Sequence, residues 1–432
     1  MPKRTRGLPR EIARVYLMVH VVVSMTGAYS FVESRWYGGN AFEFVGFFML
    51  VVYFAADPKY WIRLLALVPY AAMVLLYLVL GLLSSPHAGE LLKPALYTFS
   101  SLTLLTCAMP AVIADVVDLR RFVRAVQITS FICLGVCVAE GTIPRFAEFL
   151  AQSGPLDASE IRYHAFRTSG FLRNPNESAN FYITTYLLSF WCSGPMRTVG
   201  LIVAVTGTYL SASRSGAVLL AVCLLGRSAG KIGYGVAKSR GRRAFLFIGP
   251  IFACLLVVGG ISLLNPGLLS YRESGISRAG RILDTMESAR ERRIITDYWL
   301  PRALDAPVHG YGLRSFQGGR PVGLSSPAIN DQGTHNTWLM LLGETGPLGP
   351  LAFFLVLWIA FFRIIRLREH PMDRLVLLLL WGAYLAFSVK AHTLFDYRYY
   401  TVVMCFLLYA PSLVGTEKDV VEPRTAPAPE CA

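Results

Sequence analysis

The sequence predicts an all-α polytopic membrane protein, with about 12 transmembrane helices and a large, partly helical outer loop between spans nine and ten. Three observations carry this fold class. Hydrophobic residues make up 54% of the 432-residue chain, charged residues only 16%, and the mean hydropathy is +0.49. Soluble domains lie well outside that composition. Apolar runs near the length of a bilayer crossing recur along most of the chain. The basic residues, finally, gather between those runs with an alternating bias.

The expected spans are 12–32, 41–56, 61–83, 95–117, 122–143, 178–194, 198–212, 214–226, 245–264, 336–362, 374–391 and 393–414. The second, seventh and eighth are short and fit a tilted or half-buried segment. Residues 1–264 therefore hold spans one to nine, 265–335 the long loop, 336–414 spans ten to twelve, and 415–432 a short disordered tail. The first apolar run is too long for a cleavable signal peptide and lacks a small-residue cleavage site.

The formal net charge of +14 could point to nucleic acid, but its placement favours topology instead. With "MPKRTRGLPR" in the cytoplasm, "DPKYWIR", "DLRRFVR", "RSAGKIGYGVAKSRGRR" and "RIIRLREHPMDR" all fall on the same side, as the positive-inside rule requires. Both termini are then cytoplasmic, and no nucleic-acid partner is expected.

Two outward loops break the pattern. Residues 265–335 carry nine arginines and no lysine, and 144–177 add Arg145, Arg162, Arg167 and Arg173, again without lysine. A solvated basic loop could translocate despite its charge, but that leaves the choice of arginine unexplained. Guanidinium forks bind phosphate oxygens in pairs and are weakly hydrated. A phosphate-bearing partner at the outer membrane face accounts for both features.

Seven of the eight cysteines fall inside predicted spans and Cys431 lies in the tail, so no disulfide framework is expected. No Cys/His cluster has metal-ligand spacing, and no metal or cofactor is expected.

Three polar constellations converge on the outer side. In "GTYLSASRSGAVLL" (207–220), Arg214 stands between two serines where one span ends and the next begins. Ser213 can cap the new helix, leaving free N–H groups and the positive dipole end beside an arginine, a ready anion site. A turn arginine reaching for lipid headgroups is the alternative. In "TSGFLRNPNESANF" (168–181), Asn174, Pro175 and Asn176 make a rigid turn that presents Arg173. In "GTHNTWLMLLGETGPLG" (333–349), Thr334 reads as the helix N-cap, with His335 and Asn336 in the first turn. There the dipole keeps the imidazole neutral and able to accept a proton. Glu344, two to three turns deeper, reads as an interhelical hydrogen-bonding group at a helix break, with a proton relay as the alternative.

These motifs, in this order, resemble those of the O-antigen ligase/polymerase family. "GFLRNPNESA", "SRSG", "RRIITDYWLPRALDAPVHGYGLRSF" (292–316) and "HNTWLMLLGETGPLG" are similar to that family's patterns over about 168–350. The family usually has a histidine and proline where this chain has "APVHGYG", so that histidine belongs to the turn and not to the chemistry. By offset from this turn, the family's upstream arginine falls on Arg292, with Arg293 a close competitor.

The resemblance implies a glycosyltransferase of the bacterial inner membrane with a periplasmic active site. It implies transfer of a glycan from an undecaprenyl pyrophosphate carrier to a hydroxyl acceptor, lipid A–core for a ligase or a growing glycan for a polymerase. His335, Arg214 and Arg292 take the catalytic roles. Arg293, Arg173, Asn176, Asn336 and Ser213 line the substrate, and membrane lipids are further partners. A flippase for the lipid-linked sugar is the third reading, disfavoured because ionisable residues gather at span ends and not along a mid-membrane path.

Overall fold

A computed structural model describes residues 7–28, 39–143, 146, 168–172, 174–192, 194–238, 297–317, 334–367, 370–390, 395 and 398–414. Every regular element among them is a helix. In chain order these are α1 (Leu8–Met25), α2 (Gly39–Ala56), α3 (Tyr60–Leu83, tightened to 3-10 over Leu65–Leu67), α4 (Ala88–Val112), α5 (Val116–Thr142) and α6 (Pro175–Leu188). They continue with α7 (Gly194–Leu210), α8 (Arg214–Lys238), α9 (Thr337–Thr345), α10 (Leu348–Ile365), α11 (Pro371–Lys390) and α12 (Arg398–Val414).

Five of them, α3, α4, α5, α10 and α11, are long and apolar enough to cross a membrane. The outer surface agrees. Phe48, Ile62, Leu65, Phe131, Leu351 and Trp358 all stand exposed. An apolar belt of that kind is costly in water and favourable against acyl chains. Every expected span overlaps a helix except 245–264, which lies outside the described residues.

Two boundaries differ from the sequence reading. Span eight was expected to stop near residue 226, yet α8 runs on to Lys238. Hydropathy falls where Arg227 and Lys231 enter, but polar residues do not by themselves end a helix, and neither does the loss of hydropathy. Span ten is split into α9 and α10 by a break at Gly346 and Pro347.

At the centre stand α6 and α12, buried on all sides. For α12 this follows from an apolar circumference. For α6 it does not: Glu177, Ser178, Asn180, Thr184 and Thr185 are all buried. Polar side chains carried into the middle of a bundle are costly unless they find partners. Here Ser178 donates to Ser169 O at 2.5 Å, Thr185 to Tyr182 O at 2.9 Å, and Asn180 to Tyr400 Oη at 3.1 Å.

Charge is sorted between the two ends of the bundle. At the end where α1 begins, Arg10 pairs with Asp57 at 2.6 Å, Arg14 with Asp118, and Arg63 with Asp57. Arg363, on the last turn of α10, donates to Ala66 O at 2.7 Å and Leu408 O at 2.8 Å at that same end. The opposite end, where α6, α8 and α9 begin, carries the candidate site.

The split in span ten is made by the segment 306–317. Tyr311 N bonds Gly343 O at 2.8 Å, Gly312 N bonds Glu344 O at 3.1 Å, and Leu313 N bonds Gly81 O at 2.7 Å. The turn therefore seats its backbone on the last turn of α9 and on α3. Gly310 has φ 78° and Gly346 has φ 64°, both left-handed. A Cβ on Gly310 would lie 2.3 Å from the Glu344 carbonyl, and one on Gly346 would lie 2.0 Å from Val308 O. The two glycine-rich motifs, some thirty residues apart, thus fit each other only because neither carries a side chain there.

Gly310→Ala is expected to destabilise the folded protein by about 2 kcal/mol or more, through left-handed strain added to a backbone clash. Gly382→Ala, where a Cβ meets nothing within 4 Å, should be neutral or slightly stabilising. Thermal unfolding of both variants in detergent tests this, and equal midpoints would show that the turn does not lock the helix break.

Candidate functional site

Three helix N-termini build the site, each with its own cap. For α6 the cap is Asn174, whose Oδ1 accepts from Asn176 N at 2.9 Å, with Pro175 in the first helical position. Proline suits that place because its missing N–H is not needed there. For α8, Ser213 Oγ accepts from Gly216 N at 3.2 Å, the capping role expected of it. For α9 the cap is Asn336, whose Oδ1 accepts from both Trp338 N at 2.9 Å and Leu339 N at 3.2 Å.

The last of these corrects the sequence reading. Thr334 is not the N-cap, and His335 and Asn336 do not lie in the first turn. Asn336 has the extended backbone of a cap, φ −151° and ψ 114°, and its carboxamide reaches two N–H groups where a hydroxyl placed two residues earlier reaches none of them. Thr334 Oγ1 instead donates to Asn336 O at 3.0 Å and braces the approach. His335 precedes the cap, exposed, with φ 47°.

The same device occurs at α8, where Ala212 has φ 46° just before the capping Ser213. Left-handed backbone at a residue with a Cβ costs on the order of 1–2 kcal/mol, and such strain clusters at functional sites. Its geometric effect is to turn the chain sharply into the helix; at α9 this leaves His335 exposed at the bundle end, while at α8 Ala212 stays buried.

Contacts between the caps tie the three motifs together. Ser213 Oγ donates to Asn176 Oδ1 at 3.1 Å, joining the "NPN" turn to "SRSG". Trp338 Nε1 donates to Ser388 Oγ at 3.1 Å, and Lys390 Nζ to Ser215 O at 3.3 Å. The C-terminal turn of α11 therefore bridges the start of α9 to the start of α8. Three positive helix ends, the half-buried Arg214 and Lys390 share one face of the protein, an arrangement that attracts an anion.

Beneath this face lies a polar layer that the sequence reading missed. Glu177, one residue past Asn176, is buried, and its Oε2 accepts from Tyr399 Oη and Tyr400 Oη, both at 2.5 Å. Glu140 accepts from Ser169 N at 2.9 Å and Gly170 N at 2.7 Å, fixing the turn that leads into α6. Glu177 had a usable signal: it stands three residues after Asn174, the capping-box position. The adjacent pair Tyr399–Tyr400 at the start of a span was another. Lys390 and Glu140 had none, because each acts on backbone groups remote in sequence.

Glu344 holds the far side of the site. It is wholly buried, and accepts from Tyr77 Oη at 2.6 Å, Phe316 N at 3.2 Å and Gln317 Nε2 at 3.3 Å. That is the interhelical hydrogen-bonding role at a helix break.

Of the expected site residues, His335, Asn336, Arg214, Ser213 and Asn176 share this end of the bundle. Arg173, Arg292 and Arg293 lie outside the described residues, as does most of the expected surface helix of the long loop. Two loop arginines are placed. Arg302 stacks on Tyr298, with its guanidinium carbon 3.6 Å from the ring centroid, and Arg314 stands exposed in left-handed backbone at φ 65°. Among the described residues, no group of three or more His, Cys, Asp or Glu side chains is arranged to hold a metal ion.

Among known proteins, no family model matches the chain and no curated sequence matches it. What fold and site define on their own is a helical bundle with a lipid-compatible surface and a cationic, helix-capped face at one end.

Asn336→Ala should lower stability by about 1 kcal/mol, the usual cost of losing an N-cap, while Asn336→Asp should keep most of it. Thr334→Val should cost less than Asn336→Ala. Chemical or thermal unfolding of the purified variants decides, and the reverse order would return the capping role to Thr334.

Proposed function

We propose that the chain is a glycosyltransferase of the O-antigen ligase kind, moving a glycan from undecaprenyl pyrophosphate to a lipid A–core hydroxyl. The observation that supports this best is the hydrogen bond between Ser213 and Asn176, together with the bridge from α9 to α8 through Ser388 and Lys390. Through them, motifs separated by more than a hundred residues meet on one cationic face that also carries Arg214 and His335. The basic ion pairs of Arg10, Arg14 and Arg63 lie at the opposite end. The positive-inside rule makes that end cytoplasmic and turns the site toward the periplasm, in a plan of about 12 spans.

The chemistry follows from the leaving group. A glycosyl pyrophosphate needs no activation of the donor, and the barrier is the charge that accumulates on the departing pyrophosphate. Arg214, the N-terminus of α8 and Arg292 (or its neighbour Arg293) supply fixed positive groups, and Arg173 and Arg293 are further substrate-binding arginines. Asn176, Ser213 and Asn336 orient polar substrate atoms. The acceptor hydroxyl attacks the anomeric carbon as His335 takes its proton. The bond from that carbon to the pyrophosphate oxygen breaks, and its electron pair leaves with the carrier. Attack opposite the leaving group inverts the anomeric centre.

His335 fits this role by position. It stands exposed ahead of the cap of α9, where a donor anchored in the membrane and an acceptor reaching from the aqueous side can both arrive. The same donor with a growing glycan as acceptor describes a polymerase. Lipopolysaccharide from a deletion strain separates the two. Unmodified core with long polymer still on carrier lipid marks a ligase, and single-repeat chains on core mark a polymerase.

His335→Ala is expected to lower the transfer rate by about 10²–10⁴, the range for losing a general base, with protein level and donor binding nearly unchanged. More than about a tenth of wild-type activity would remove His335 from proton transfer. Arg214→Lys should be nearly as damaging as Arg214→Ala, because lysine keeps the charge and loses the bidentate fork. Full activity in the lysine variant would mean that only charge near the headgroups matters.

A further inference from the structure

The end of the bundle opposite the candidate site contains a cavity of about 400 Å³. It is lined by Arg120 and Arg124 of α5, the corner residues Phe190, Trp191 and Cys192, Arg197 of α7, and Asp373 of α11. Three guanidinium groups thus face one carboxylate. Arg120 and Arg124 are one helical turn apart on the same face, a spacing at which like charges repel. Asp373 sits beside His370, with 3.8 Å between Nδ1 and Oδ2.

The cationic groups are arranged and not merely crowded. Arg197 donates from Nη2 to Phe190 O at 3.0 Å and Cys192 O at 3.3 Å, so two carbonyls at the α6–α7 corner hold its guanidinium. Its Nε is buried with no hydrogen-bond partner among the described residues. Arg124, Arg197 and Cys192 all line the cavity, which places both guanidinium groups about the same corner. The first turns of α5, α7 and α11 all end at this cavity, adding their positive dipole ends.

One face of α5 shows what kind of anion fits. Arg120 and Arg124 are exposed, and the same stripe continues through Ile128, Phe131 and Ile132, which are 57%, 60% and 55% exposed. Charge at the helix end followed by bare apolar side chains toward the middle matches a lipid, headgroup first and acyl chain after. A soluble phosphate would use the arginines alone, whereas a phospholipid also lays an acyl chain on the apolar stripe that runs on from them along the same helix face.

We infer that this cavity binds the phosphate of an anionic phospholipid, with the headgroup between Arg120, Arg124 and Arg197 and an acyl chain along Ile128, Phe131 and Ile132. Basic pockets between helix ends bind anionic headgroups on the same physical grounds. The site is independent of the proposed transfer chemistry at the other end.

The test uses the full-length protein, stripped of lipid in a neutral detergent and titrated with phosphatidylglycerol, phosphatidylcholine or inorganic phosphate. The readouts are retained lipid by native mass spectrometry and the midpoint of thermal unfolding. Phosphatidylglycerol is expected to stay bound and raise the midpoint, and phosphatidylcholine to do neither. R120Q/R124Q should weaken phosphatidylglycerol binding by about tenfold or more, the expected effect of losing two basic residues at a headgroup. Both residues are exposed, so its lipid-free midpoint should match wild type. If that midpoint falls, I128S/F131S, which leaves the arginines intact, should weaken long-chain phosphatidylglycerol and not inorganic phosphate. Equal binding by wild type and R120Q/R124Q overturns the inference, as does equal protection by phosphatidylcholine. Protection by inorganic phosphate alone would assign the cavity to a soluble anion and overturn the lipid assignment.

Discussion

A buried carboxylate at the break in span ten governs the geometry of the candidate site. Glu344 takes hydrogen bonds from α3 through Tyr77 and from the segment 306–317 through Phe316 N and Gln317. Because Glu344 is wholly buried, an unpaired donor or acceptor there is expensive. The same residue's carbonyl accepts from Gly312 N. Side chain and backbone together set where α9 stops. Because α9 spans only Thr337–Thr345, fixing its inner end also fixes its outer end, and with it the cap that carries His335.

The outer ends of α8 and α9 share one construction: a left-handed residue with a Cβ, then a polar cap, then a helix packed on α11. Strain is tolerated there because packing over-determines the turn. At α8 the capping serine is also bonded to Asn176, and at α9 the following Trp338 is bonded to Ser388. The result is a face where positive helix ends and cationic side chains sit together, with buried Glu177 and its two tyrosines beneath. At the opposite end Arg10, Arg14 and Arg63 pair with Asp57, Asp118 and Glu11. Arg120 and Arg124 of α5 and Arg197 of α7 line a cavity at that same end.

Much of this was legible in the chain. The long apolar runs announced the helices, since a bilayer-length run has few other uses. The capping serine at 213 followed from its place between two spans, and Glu344 at a glycine- and proline-marked break followed from the cost of burying a carboxylate. The cap of α9 was misread because Thr334 and Asn336 are both good caps. Only the extended backbone of Asn336 and the two N–H groups its carboxamide reaches choose between them. The full length of α8 was missed because hydropathy alone set its expected end.

The sequence alone determined the class of protein, the approximate position of the helices, and which polar residues stood at their ends, because each of these depends on neighbours a few residues away. Tertiary structure decided which ends meet. The bond from Ser213 to Asn176, the reach of Lys390 to Ser215 O, and the seat of Gly310 against Glu344 join residues far apart in the chain. No local pattern encodes such distances. They emerge only when the helices pack and bring such residues into contact.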